Sequence, residues 1–549
     1  MTGTAPVPVT APVPAWQRAL YALALALPLL AGLGLAPLFD VDEGAFSEAT
    51  REMLASGDWG HTTLNGEDRF DKPIGVYWLQ AASVAVFGVH EFAFRLPSAL
   101  SAWAMALALA AFAARRWGLA AGAAAGVLAV SSIGVHVIGR AATADGLLNL
   151  LLVLAGLDLW RFAETGARAP LRRAYAWVGL GLLVKGPVAA LVPGAAFLVW
   201  ALSSRRWDRI RQAALDAPGW GLMLLIAVPW YAYALHRHGM DFVQGFLLRH
   251  NLQRFSGPLE GHDGSMLYYF VLLPLLALPW APLLARVLAQ ARRLWAEPAG
   301  RFLLGWAGFV LVFFSLSGTK LPHYVLYGYA PLVLLMARCL ADAGRGWHIA
   351  VAVCVLIEGL ILALAPLQVL RQASTIGDPL FRALLSGAPA PGWTGPLLGL
   401  GALAAVALVP VPAALRTLSA PRTLAAGLVM ALFLGLWAAP WWGEALQGPV
   451  PRAAAAARQA LASSQAQAQT QAHSASAASG QTAPQARTVV QAWMHLPSFA
   501  VYLGEATPRR DPAPGELAFT RVDRIPPSEQ SRPRLFEERG LVVLGPRAP

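Results

Sequence analysis

The sequence predicts an all-α polytopic membrane protein, with about 13 membrane helices and a small C-terminal α/β domain. Three observations carry that fold class. Hydrophobic residues make up 57% of the 549-residue chain and charged residues 13%, against about 45–50% and 25% in soluble domains. Apolar runs of about 20 residues, the length needed to cross a bilayer as helix, recur through the first 440 positions. After Trp442 the composition changes, first to Ala, Gln and Ser, then to short apolar runs alternating with proline and charge.

Taken in order, apolar segments lie near 16–38, 93–114, 118–138, 145–163, 174–185, 187–204, 217–236, 266–287, 301–316, 324–342, 347–369, 393–415 and 421–440. The stretch 174–204 is too long for one ordinary helix and is interrupted by Lys185-Gly186-Pro187, so two short helices meeting at Lys185 fit better. The segment 16–38 has no basic residue before Arg18 and reads as a retained helix, not a cleaved leader. Residues 1–15 form an N-terminal extension, 16–442 the membrane domain with large loops at 39–92 and 237–265, 443–487 a flexible linker with partial helix, and 488–549 a soluble unit. Cys339 and Cys354 both fall in apolar runs and read as membrane-helix thiols, not a disulfide.

The net charge of +12 comes mainly from arginines in short loops. Arg115 and Arg116, the groups from Arg161 to Arg173, Arg205 to Arg211 and Arg286 to Arg293, then Arg345, Arg416 and Arg422 occupy one set of alternate loops. The positive-inside rule predicts these in the cytoplasm, with the N-terminus, and the acidic loop and the C-terminal unit outside. The basicity is therefore a topology signal. No nucleic-acid partner is expected.

That acidic loop is where chemistry concentrates. FDVDEGAFSEATREML places Asp40, Asp42, Glu43, Glu48 and Glu52 together, and RFDKPIGVYW adds Asp71 and Lys72. From Phe46 to Leu54 the spacing predicts a surface helix with Phe46, Ala49, Thr50, Met53 and Leu54 on one face. Capping of its N-terminus explains one acid, but two adjacent acids after Asp40 exceed that need. Asp145, in GRAATADGLLNLL, opens another apolar helix on the same side; alone it reads as a cap, but with Asp42 it offers two carboxylates converging on one face.

Lys72, Lys185 and Lys320 each sit at an outer helix boundary and are each followed by proline within two residues. Snorkelling explains one such lysine. Three of them, with Arg249 and Arg254, run against the charge bias of the chain and could bind a lipid-linked phosphate. Tyr324 and Tyr327 follow Lys320 and could line the same cavity; Tyr77 belongs mainly to an interfacial aromatic belt. His250, His262 and His323 fall in outer loops or boundaries, and with Asp71 the first two could hold a divalent ion such as zinc or magnesium, although loop hydrogen bonding explains them as well.

FDVDEGAFSEATREMLASGDW, LNGEDRFDKPIGVYW, FGVHEFAFRLPSAL, GRAATADGLL, LLVKGP, RHNLQRFSG, MLYYF and FFSLSGTKLPHYVLY, in that order, resemble the aminoarabinose transferase family, GT-C glycosyltransferases related to protein O-mannosyltransferases. The resemblance covers roughly 16–340. It implies transfer of 4-amino-4-deoxy-L-arabinose from undecaprenyl phosphate to a lipid A phosphate. It further implies Asp42 as the principal acid with Asp145 as a second, Glu43 beside them, Lys72, Lys185 and Arg254 on the donor phosphate with Lys320 nearby, Tyr324 and Tyr77 lining the cavity, and metal near Asp71, His250 or His262. The sequence departs from the family pattern at Ala45, Arg69 and Asp71, where arginine, an aromatic and glutamate are usual. No nucleotide site is expected, since there is no glycine-rich phosphate loop. Transfer of glucosamine or a hexose to lipid A, a glycan or a protein hydroxyl is the alternative within this class. A transporter of lipid-linked substrates is the alternative outside it, and would call for repeated halves and midplane binding groups.

Overall fold

The computed structural model describes residues 13–253, 264–408, 410–411, 420–475 and 488–547. Helices meet every one of the predicted apolar segments within those residues. Seven of them are long and apolar enough to cross a bilayer, or eight if the bent pair Leu119–Ser131 and Ile133–Gly139 is one broken span. The protein is thus a multi-pass membrane protein. Several other predicted spans fall on shorter helices, such as Ala15–Leu30, Val188–Ser203 and Thr394–Leu408. The expected 266–287 segment divides into Tyr268–Leu276 and Ala281–Ala289.

The break at Lys185 is real. Helix Arg168–Lys185 ends there, Gly186 takes φ 74°, and Val188–Ser203 follows. A Cβ at Gly186 would meet Phe246 Cζ at 2.6 Å, so both the left-handed backbone and the close packing need glycine.

Loop 39–92 is built, not irregular. Helix Asp42–Ser56 begins with Asp42 and Glu43 in its first turn and stops at left-handed Gly57, whose N–H bonds Met53 O. A hairpin pairs Thr63–Leu64 with Glu67–Asp68, turning on Asn65-Gly66 with φ 57° and 83°, the dipeptide favoured where both turn residues need positive φ. Helix Gly75–Phe87 then packs on Glu91–Trp117. Gly75 lies so close to the end of Arg168–Lys185 that a Cβ would sit 2.8 Å from Leu183 O, which brings the Lys72 turn toward Lys185.

The C-terminal unit has a four-stranded sheet in spatial order Val489–Gln491, Leu517–Arg521, Leu541–Leu544, Arg534–Glu538, with the first pair parallel and the others antiparallel. The segment expected as a linker is helical over Pro449–Ala475. Ala453, Ala454, Ala457 and Leu461 are buried along one face of it and pack with Phe499, Phe519 and Val543, the i, i+3, i+4 spacing of an amphipathic stripe. Alanine was read as linker composition; its helix propensity and its small size against the sheet decide otherwise.

This unit docks on the acidic loop. Ser498 N–H donates to Asp40 Oδ1 at 3.0 Å and Ser498 Oγ donates to Oδ2. Leu38 N–H donates to Tyr502 OH at 2.8 Å, and Tyr502 OH donates to Glu91 Oε1 at 2.9 Å. Helix Ser498–Leu503 covers Asp42–Ser56. Phe46, Ala49, Thr50 and Met53 are buried as the spacing predicted, and Ser47, Glu48 and Glu52 on the other side are buried as well.

Candidate active site

Asp145 is the first residue of helix Asp145–Thr165 and is almost fully buried. Its Oδ1 accepts from Lys185 Nζ at 2.6 Å and from Tyr327 OH at 2.6 Å. His323 Nε2 lies 3.7 Å from the same oxygen and 3.4 Å from Lys185 Nζ. His323, Tyr324 and Tyr327 come from the 3₁₀ turn Pro322–Gly328, whose three-residue period puts Tyr324 and Tyr327 on one side. Lys185 Nζ stands 5.6 Å from each of their ring centroids, within cation–π range. Three distant segments thus supply one carboxylate, one ammonium, an imidazole and two phenols.

Asp42 is exposed and lines a cavity of about 360 Å³ together with Phe39, Glu43, Arg95, Arg140 and Thr143. Protein encloses the carboxylate on its other sides. Burial and the negative charge of Asp145 push its pKa above the usual aspartate value, while Lys72 and Lys185 pull the other way. The two carboxylates and two lysines therefore feel one another's fields. Arg140 is anchored to the cavity floor, donating to the carbonyls of Pro28, Leu29, Ala31 and Gly435.

The Lys72 turn forms a second polar cluster. Lys72 Nζ donates to Asp71 Oδ1 at 2.6 Å, Arg69 Nη2 to Asp71 Oδ2 at 3.0 Å, and His250 Nδ1 lies 3.1 Å from Oδ1. Burial alone would raise the Asp71 pKa, but Lys72, His250 and Arg69 hold it well below the ordinary range. Arg69 also donates to Tyr77 OH at 3.2 Å and lies over the Phe46 ring at 5.6 Å. Tyr77 is fully buried against Phe46, so it supports this turn from behind and does not line an open cavity.

Two expected site residues are engaged elsewhere. Glu43 is buried in a bidentate pair with Arg95, at 2.9 Å to Nε and 2.7 Å to Nη2, and also accepts from Phe39 N–H and Ala142 N–H. All its lone-pair directions are occupied, so it is an anchor between the loop and helix Glu91–Trp117, not a catalytic acid. Lys320 is buried and donates to the carbonyls of Ser315 and Ser317, at 3.1 and 2.7 Å. It closes the C-terminal turn of helix Pro298–Leu316, where free carbonyls attract a cation. Arg254 and His262 lie outside the described residues. Asp71 and His250 do meet, but both oxygens of Asp71 already serve cations, so this pair is an ion-pair cluster and we route no chemistry through a metal there.

A family model described as dolichyl-phosphate-mannose-protein mannosyltransferase matches residues 71–233. An undecaprenyl phosphate-alpha-4-amino-4-deoxy-L-arabinose arabinosyl transferase of Pseudomonas fluorescens is 32% identical over 426 residues, 72% of this chain and 76% of that protein. The chain belongs to the aminoarabinose transferase family. The corresponding proteins of Erwinia tasmaniensis and Edwardsiella ictaluri are 33% and 32% identical, and the alignments span 66% and 64% of their lengths, just under two thirds. The crystal structure of ArnT from Cupriavidus metallidurans bound to undecaprenyl phosphate has the same fold, with a TM-score of 0.76 at 22% identity over 97% of this chain and 98% of that one.

Among aminoarabinose transferase residues that the motifs bring together here, Asp42, Lys72, Asp145 and Lys185 were all legible as charged residues at predicted outer boundaries. The partners that orient them were less so. Arg95 carries its signal only in hindsight, as a lone arginine one turn inside an apolar helix. Tyr327 was legible as a cavity residue near Lys320, whereas His323 reads as a loop histidine until the 3₁₀ turn brings it to Asp145.

Proposed function

We propose that the protein transfers 4-amino-4-deoxy-L-arabinose from undecaprenyl phosphate to a phosphate of lipid A on the periplasmic face of the inner membrane. The observation that carries this reading is the buried Asp145–Lys185–Tyr327 cluster, whose charges, with that of Lys72, are felt by the cavity-lining Asp42. In the reaction the bond from the sugar anomeric carbon to the donor phosphate oxygen breaks. Undecaprenyl phosphate departs with that oxygen and the electron pair, and an acceptor phosphate oxygen forms the new bond from the opposite face, so configuration inverts. Lys72 and Lys185 offset the charge that grows on the leaving phosphate. Asp42 stabilises the oxocarbenium-like carbon and orients the acceptor or the amino group of the sugar. A phosphate acceptor is already ionised at neutral pH, so Asp42 need not be a strong base.

Topology supports the same reading. The arginine-rich loops support a cytoplasmic N-terminus, with the site and the C-terminal domain on the periplasmic side, where lipid A is accessible. Family membership supports donor and acceptor together, and the fold shared with an undecaprenyl phosphate complex supports the carrier. The test is mass spectrometry of lipid A from cells with and without the protein. Loss of the aminoarabinose mass from lipid A phosphate is the expected result. Unchanged lipid A would overturn the acceptor and move the search to glycans or protein hydroxyls.

A further inference from the structure

We infer that His61, Asp68 and His238 form a divalent-cation site, fitted to zinc, that clasps the hairpin of the acidic loop to the end of the helix beginning at Ala217. One ligand atom from each residue lies within 4.8 Å of the other two. His61 Nε2 is 2.8 Å from Asp68 Oδ1, and His238 Nδ1 is 3.3 Å from Asp68 Oδ2. Two imidazoles and a carboxylate are a common zinc set that leaves a coordination position open.

The geometry favours a cation over a plain hydrogen-bonded triad. The two imidazole rings stand 4.3 Å apart, inclined by 35°. Each ring turns a nitrogen toward a different oxygen of the one carboxylate, so a single cation between them can be met by all three side chains. The ring of Phe70 packs against both imidazoles, at 6.4 Å from His61 and 5.1 Å from His238, and supplies an apolar backing. Half of the Asp68 side chain is exposed, which provides an entry path.

The position gives the site a purpose separate from the transfer chemistry. The Asn65-Gly66 turn pairs Thr63 with Asp68, and His61, two residues before Thr63, reaches the Asp68 carboxylate. Directly after His238, Gly239 adopts φ 55° and ψ −131°, and the chain turns into the π-helical segment Val243–Gln253 that carries His250 to Asp71. Gly245 in that segment packs so close to Phe70 that a Cβ would lie 2.9 Å from its Cβ. A cation held here fixes the spacing between the Lys72 turn and the segment that closes over it.

The test uses the full chain in detergent, stripped with a chelator and dialysed against zinc at micromolar concentration. Zinc per chain is measured by inductively coupled plasma mass spectrometry, and thermal unfolding is followed with and without zinc. Wild-type protein is expected to retain zinc and to unfold at higher temperature when it is present. His61→Ala, His238→Ala and the near-isosteric Asp68→Asn are each expected to lose about one equivalent, with affinity falling at least ~10-fold, and to lose the zinc-dependent shift. Asp68→Asn guards against misfolding, since its exposed side chain can change without disturbing the core. Retention of wild-type zinc by Asp68→Asn and His61→Ala, or no zinc uptake by the wild type, would overturn the assignment.

Discussion

Lys185 Nζ lies 2.6 Å from Asp145 Oδ1, joining the broken end of one helix to the start of another 40 residues earlier in the chain. Both side chains are almost fully buried. Removing one member of such a pair leaves an uncompensated charge, which costs about 3–5 kcal/mol.

Lys185→Met and Asp145→Asn are therefore each expected to lower both thermal stability and transfer activity. The double variant removes both charges. It is expected to regain most of the stability and none of the activity. Thermal unfolding in detergent alongside transfer from synthetic donor separates the two effects; recovery of activity in the double variant would assign the pair a purely structural role.

Asp42 and Glu43 are adjacent and are expected to respond oppositely. Asp42→Asn faces the cavity and should reduce turnover by at least ~100-fold with an unchanged unfolding temperature. Glu43→Ala breaks the pair with Arg95 and two backbone hydrogen bonds, and should destabilise by about 3–5 kcal/mol. Measuring both quantities for both variants checks the division of labour; a stable, inactive Glu43→Gln protein would restore Glu43 to the catalytic set.

The raised pKa of Asp42 sets the acid limb of the pH–activity profile. With ionised Asp42 as the proposed active form, activity is expected to fall as pH drops through a value above the ordinary aspartate figure of about 3.9. For stability the sign is reversed. A carboxyl raised on folding favours the folded state while protonated, and that contribution is lost as pH rises through its folded value. Asp145→Asn should shift the acid limb to lower pH by removing a negative neighbour, and Lys72→Ala should shift it higher, as read from residual kcat/KM across pH.

Lys72→Ala should also weaken use of the donor. A charge-assisted bond to phosphate contributes about 1.5–3 kcal/mol, so kcat/KM for the polyprenyl-phosphate donor should fall roughly 10- to 100-fold. Titration with undecaprenyl phosphate gives the binding part. Equal affinity in variant and wild type would remove Lys72 from the phosphate site.

Docking of the C-terminal unit depends on the absence of a side chain at Gly44. A Cβ there would stand 2.1 Å from Asp40 Oδ1 and 2.5 Å from Ser498 N. Gly44→Val should displace helix Ser498–Leu503 and cost about 1–3 kcal/mol through overpacking. Hydrogen exchange at residues 498–503 should speed up in the variant; unchanged protection would show that the contact tolerates the added bulk.

The apolar segments, the break at Lys185 and the buried face of Asp42–Ser56 were readable because they follow from local rules. Segment length answers to bilayer thickness, Gly-Pro interrupts helix hydrogen bonding, and a 3.6-residue period reports one covered face. The burial on the Glu48 and Glu52 side was not readable, because the C-terminal helix Ser498–Leu503 packs on Asp42–Ser56 and the hairpin at Thr63 and Gly66 engages Glu52. The same holds for Pro449–Ala475, whose alanines look like linker until a sheet lies against them.

The sequence by itself determined which residues carry charge in an apolar chain, and hence which ones, Asp42, Lys72, Asp145 and Lys185 among them, are expected at one membrane face. Only the tertiary structure decided which carboxylate remains free to act. Asp42 and Glu43 differ by one position and about 100° around a helix. Both line the same cavity, but that rotation sets Glu43 against the guanidinium of Arg95 and the amides of Phe39 and Ala142, a difference set by what packs on each side of the helix and written nowhere in the spacing of the acids.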